Sequence, residues 1–249
     1  MNSLPGYTQL DFAFDGMTHA VYQRGTGPSV LIMHELPGMV PECVALADEI
    51  ADARFTVFLP LLFGEANQPS SRLRTLGYFT RICISREFRC FSANESSPIT
   101  TWLRALCVQK IQPASNGRGI GAIGMCLTGG FVLCLMISDL MLAPVICQPG
   151  LPFGSTAAQR AALGVSTVDF QQAVDSKLPL LGYRFKDDRI CRQERFDTLE
   201  RAFGPQRFER HDLPGDKHSV LTLDYVGDPA HPTFQARKRM IEFLKQRLT

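Results

Sequence analysis

The chain of 249 residues, 45% of them hydrophobic, is long enough for one large domain or two small ones and for a substantial core. Lys and Arg number 26 against 24 Asp and Glu, and a net charge of +2 gives no electrostatic reason to expect nucleic acid or an anionic membrane as partner, so a small molecule is the default. Eight cysteines with neither CxxC pairing nor a zinc-ligand rhythm exclude a disulfide scaffold and favour free thiols in a reducing, cytoplasmic compartment.

Met1 to Gly6 has no basic stretch followed by an apolar one, so no secretory signal is expected. Residues 8 to 14 alternate apolar and polar, Asp15-Gly16 supplies a turn, and Thr18 to Tyr22 returns, which predicts an antiparallel hairpin. Ser29 to Met33 is a short apolar run of the kind covered on both faces in a layered α/β sheet. Pro41 opens a helix over Glu42 to Ala53, and Phe55 to Leu59 follows as a strand, completing a βαβ unit with an expected right-handed crossover. Residues 67 to 100 read as helix and loop without firm boundaries.

Ile99 to Ile111 carries the spacing of an amphipathic helix, and Gly119 to Met125 that of a central strand. Gly119 to Ser138 is uncharged and long enough to span a bilayer, but its five glycines fit a buried strand, a tight turn and a buried helix from Leu127 to about Leu140 better. Further strands are predicted at Ala143 to Cys147, Leu178 to Tyr183 and Phe208 to Asp212, and a last helix at Thr233 to Leu248. No repeat or linker divides the chain, so residues 1–249 are expected to form a single domain. Nothing in the sequence fixes an oligomeric state.

Ile123 to Gly130 places Cys126 among small residues between a strand and a helix, the composition of a nucleophile elbow. Such a turn projects the nucleophile from the C-terminal edge of a sheet, and a helix N-terminus beside it lowers thiol pKa values and offers N–H groups to an oxyanion. In G-x-S/C-x-G a glycine stands two residues after the nucleophile, where this chain has Thr128, a less comfortable residue at a close strand–helix contact. The competing reading of Cys126 is a small buried core residue.

Downstream, Leu180 to Asp188 ends a predicted strand in acids, and Gly215 to Ser219 is a loop carrying His218. The order nucleophile, acid, histidine is that of the α/β-hydrolases. Asp188 is preferred to Asp187 as the acid, a solvated turn being the alternative for both, and a plain surface histidine the alternative for His218. Met33 to Gly38 follows the first parallel strand, where the hydrolase fold supplies its second oxyanion donor; the N–H of Leu36 is the candidate, paired with that of Leu127, since Pro37 has none. Glu35 would stand beside the thiol, able to accept its proton or to hold a cation in the resting site, unless it is an ordinary loop acid.

Taken together, His34-Glu35, Gly124 to Gly130, Asp188 and Gly215 to Ser219 resemble the dienelactone hydrolases, α/β-hydrolases with a cysteine nucleophile, over roughly residues 8 to 248. The resemblance implies the α/β-hydrolase fold, a mostly parallel central sheet with helices on both faces behind an N-terminal antiparallel hairpin. It further implies Cys126 as nucleophile, His218 as general base, Asp188 as its orienting acid, and Glu35 as the family's acid that switches contacts and helps generate thiolate. The substrate class it implies is an ester or lactone, in the family one whose carboxylate is gripped by arginines; Arg81, Arg86 and Arg89 match no position of that pattern. No metal or organic cofactor is needed. Two alternatives stand beside this reading: a non-catalytic hydrolase-fold binding protein, motivated by Thr128, and an acyltransferase or thioesterase using the same residues.

Overall fold

The computed structural model describes residues 4–71, 75, 77, 96–115, 119–136, 140–150 and 156–249. Its strands are β1 (Thr8–Phe14), β2 (Met17–Gly25), β3 (Ser29–Met33), β4 (Thr56–Pro60), β5 (Ile120–Met125), β6 (Met141–Cys147), β7 (Leu180–Phe185) and β8 (Phe208–Leu213). They form one sheet in the order β1-β2-β4-β3-β5-β6-β7-β8. β1 pairs antiparallel with β2 and β2 with β4, and every other pairing is parallel. This is the α/β-hydrolase fold, the predicted hairpin leading a mostly parallel sheet.

The described helices are α1 (Pro41–Asp52), α2 (Pro98–Leu106), α3 (Phe131–Leu135), α4 (Ala157–Ala161), α5 (Thr167–Asp175), α6 (Gln193–Phe203) and α7 (Pro232–Leu248), and α2 runs on through a π turn at Cys107–Ile111 to Ala114. Period-2 alternation in the strands builds two cores. Val30, Ile32, Val57, Val145 and Leu181 pack with Leu46, Ile50, Met240 and Leu244 of α1 and α7, whereas Leu31, Met33, Phe58 and Ile146 pack with Trp102, Leu133, Phe196 and Leu199 of the helices on the opposite face. Helices therefore cover both faces, which is why the central strands are apolar throughout.

Three predictions are adjusted. Of the helix expected over Leu127 to about Leu140, the described residues show a 3₁₀ turn at Cys126–Thr128 followed by the five residues of α3, capped at Met136. The helix expected to run to Ile111 leaves the α-helical path at Cys107. Three helices, α4 to α6, fill stretches for which no helix was predicted. Arg81, Arg86 and Arg89 lie outside the described residues. Among those described, no helix is long and apolar enough to cross a membrane.

Candidate active site

The parallel strands deliver their functional side chains to one edge. Glu35 follows β3, Cys126 follows β5, Gln148 follows β6, Asp188 follows β7 and His218 lies in the loop after β8, the C-terminal edge at which open α/β sheets bind ligands.

Cys126 occupies the first position of the turn after β5 with φ +51, the left-handed region that costs a non-glycine residue about 1–3 kcal/mol. Neighbouring residues hold it there. Its carbonyl accepts the amides of Gly129 at 2.9 Å and Gly150 at 3.0 Å. Gly124 admits the turn because a Cβ there would stand 2.4 Å from the Thr128 carbonyl oxygen. Thr128, the departure from the motif, is fully buried and its hydroxyl performs a job glycine could not: it accepts the Met125 amide at 3.0 Å and lies 2.9 Å from the carbonyl oxygens of Met33 and Met125, linking the ends of β3 and β5. The discomfort expected at this position is offset by those bonds.

His218 donates through Nδ1 to the buried Asp188 carboxylate, 2.7 Å from Oδ2, and its backbone amide donates to Asp224 at 3.0 Å. Asp188 Oδ1 in turn accepts the amides of Ile190 at 2.7 Å and Cys191 at 3.1 Å. Burial alone would raise the Asp188 pKa, but His218 and the two amides outweigh it and hold the group below its ordinary value. For His218, burial disfavours the imidazolium, and its interactions with Cys126, Asp188 and Glu35 reverse that effect, raising its pKa well above the usual one. The other ring nitrogen, Nε2, is buried, bonds no nitrogen or oxygen among the described residues and has the Cys126 sulfur as its neighbour. Asp187 is exposed, and its amide donates to the Gly215 carbonyl at 3.0 Å.

Glu35 is no surface acid: it is 1% exposed. Its Oε2 accepts the Ser219 hydroxyl at 2.9 Å and the Gln148 side-chain amide at 3.3 Å, and its Oε1 accepts the Thr222 hydroxyl. Burial raises its pKa against the opposing pull of His218 and these donors. One ligand atom each of Glu35, Cys126 and His218, the sulfur among them, lie within 4.8 Å of one another. The preceding His34 is structural: burial pushes its pKa down to about 4, and the neutral ring accepts the Leu62 amide at 3.1 Å.

Leu36 follows the buried Glu35, and Leu127 follows Cys126 in the first turn after β5. Gly150 walls the thiol closely, since a Cβ there would lie 3.1 Å from Cys126 Sγ and 3.0 Å from the half-exposed Ile190 side chain. Residues that the sequence reading passed over complete the arrangement. Gln148, Ser219 and Thr222 hold Glu35, and the buried Arg195 guanidinium grips the carbonyls of Ile190 and, at 2.8 Å, Ala162, fixing the acid turn. The part of Gln148, Ser219 and Thr222 depends on meeting Glu35 across the folded sheet, which no local pattern marks.

The dienelactone hydrolase family model matches residues 14–248. Among solved structures, the chain is similar to a Klebsiella pneumoniae subsp. pneumoniae protein labelled a dienelactone hydrolase, at 15% identity and TM-score 0.66, covering 96% of this chain and 98% of that one. A dienelactone hydrolase-like promiscuous phosphotriesterase from metagenomic libraries is 18% identical with TM-score 0.60 at the same coverage, and a Pyrococcus furiosus esterase is 12% identical with TM-score 0.61, covering 98% and 93%. No curated protein matches the sequence.

Proposed function

The chain belongs to the dienelactone hydrolase family and is a hydrolase, and on that footing we propose that it cleaves a carboxylic ester or lactone through Cys126, His218 and Asp188 and an acyl-enzyme intermediate. The observation that carries this reading is the chain of contacts from Asp188 through His218 Nδ1, at 2.7 Å, to a sulfur held at a strained strand end within 4.8 Å of the ring and of Glu35.

His218, kept in one tautomer by Asp188, takes the Cys126 proton, and the sulfur attacks the carbonyl carbon. Glu35, buried beside the sulfur, assists that proton's departure. The developing oxyanion rests on the amides of Leu36 and Leu127, each such donor contributing about 3 kcal/mol to the transition state. His218 then hands its proton to the leaving oxygen as the C–O bond breaks. In the second half, His218 draws a proton from water, the hydroxide adds to the thioester carbonyl, and the carboxylic acid departs with regeneration of the thiol. Every step uses this chain's own groups and water. The non-catalytic alternative drew its force from Thr128, whose hydroxyl bonds give that residue a place in the turn. Cys126→Ala tests the proposal: the variant should fold and lose hydrolysis of activated esters, and retained turnover would contradict it.

A further inference from the structure

We propose that Glu35, Cys126 and His218 form a reversible zinc site, and that the resting enzyme is held inactive when zinc occupies it. The statement that zinc inhibits rests on the function proposed above; the statement that zinc binds does not. Three different donor types, a sulfur, an imidazole nitrogen and a carboxylate oxygen, lie within 4.8 Å of one another; zinc takes each of these donors, and three protein ligands leave it one open position.

Two further observations favour a metal over a chance meeting of side chains. His218 Nε2 is buried, bonds no nitrogen or oxygen among the described residues and has the Cys126 sulfur as its neighbour, so its lone pair is open to an ion that also takes that sulfur. The outer shell that a zinc site needs is also already built. The other ring nitrogen of His218 is bonded to a carboxylate, Asp188, at 2.7 Å, the arrangement that fixes tautomer and ring angle in metal-ligating histidines. Both Glu35 oxygens are held by side-chain donors from Ser219, Thr222 and Gln148, as ligating carboxylates are. Cys126 and His218 are partly exposed, which leaves an approach for the ion and for a water at the fourth position, while Glu35 closes the far side.

The chemistry selects among cations. Magnesium and calcium want six or more oxygens, and this triangle offers a single carboxylate, so a borderline-soft ion is favoured. Binding involves no redox change: a zinc–sulfur bond replaces the S–H bond of Cys126, the proton passes to solvent, and the Nε2 lone pair is donated to the metal. The nucleophile and its base are then both engaged, and hydrolysis stops until the ion leaves.

The experiment is a zinc titration of the whole, metal-stripped, thiol-reduced protein against a coloured zinc chelator, with cobalt as a spectroscopic stand-in and hydrolysis of a neutral aryl ester followed in parallel. One equivalent of zinc should bind, magnesium and calcium should not compete, and cobalt should give a thiolate charge-transfer band. Cys126→Ser, with its far-UV circular dichroism unchanged, should lose that band, and it and His218→Ala should each weaken zinc binding by at least about tenfold, with Glu35→Gln in the same direction. Ester hydrolysis should fall in step with occupancy and return with EDTA. Zinc bound equally well by Cys126→Ser and His218→Ala, or no stoichiometric binding by a protein that hydrolyses the ester, would overturn the site. A wild-type protein that binds one zinc through these residues but turns over no ester would instead leave the site standing and overturn the proposed function.

Discussion

The Glu35 carboxylate accepts the hydroxyl of Ser219 at 2.9 Å across 184 positions of sequence, tying the loop after β3 to the residue that follows His218. The bond fixes the distance between the buried acid and the histidine loop, and a hydrogen bond to a charged group contributes about 1.5–3 kcal/mol. Ser219→Ala should therefore cost about 2 kcal/mol of stability in urea unfolding and lower kcat more than it raises KM, because Glu35 keeps its burial but loses its aim. Unchanged stability and kcat would mean that the Thr222 and Gln148 donors suffice alone.

Thr128 makes the turn under Cys126 a bonded one. Thr128→Val keeps the shape, removes the hydroxyl and strands the Met125 amide that it serves. The expected cost is about 1–3 kcal/mol for the unsatisfied buried amide, together with a fall in kcat as Cys126 loses its fixed backbone. Thr128→Ser should restore most of both. The measurements are a denaturant midpoint and ester turnover, and equal values for the valine and serine variants would contradict the account.

Gly150 sets the room around the sulfur. A methyl group there would press on Cys126 Sγ at 3.1 Å and on Ile190 at 3.0 Å, so the thiol must shift by a few tenths of an ångström. Misplacement of a reacting group by 1 Å can cost about 10²-fold, and Gly150→Ala should lose roughly tenfold in kcat/KM while its thermal midpoint changes little. A wild-type rate in this variant would show that the sulfur has space to move.

Alkali should destabilise the fold through buried thiols other than Cys126. Burial pushes Cys43 and Cys107 up to about 12 and Cys134 up to about 11, against about 8.5 in the unfolded chain. Above about pH 8.5 the unfolded state releases these protons and the folded state keeps them, so their stabilising contribution, full below that pH, is lost progressively toward pH 11–12 at up to about 1.4 kcal/mol per pH unit per thiol. Urea midpoints measured between pH 7.5 and 10 should fall, and Cys107→Ala should give a shallower slope than the parent. Identical slopes would remove this thiol from the explanation.

Local signals carried much of the architecture. Ser29 to Met33 and Phe55 to Leu59 are short apolar runs, and β3 and β4 fall within one residue of them, since a strand buried on both faces leaves a continuous hydrophobic mark. The helices α4 and α5 left little mark because they bury little: Ala173 is the only buried residue in α5, and α4 has none. α6 obscured its own pattern by burying Arg195 among its apolar positions. At the site, Cys126, Asp188, His218 and Glu35 were legible as residue types at strand ends. Thr222 and Gln148 were not, because their part depends on meeting Glu35 across 187 and 113 positions, a contact that only the folded sheet creates.

The most direct measurement is intact-protein and peptide mass spectrometry after rapid acid quenching of the enzyme with an activated ester. The account predicts a mass increase of one acyl group on the peptide carrying Cys126, absent in Cys126→Ala. Turnover with the acyl group found on another residue, or undiminished turnover in Cys126→Ala, would contradict it.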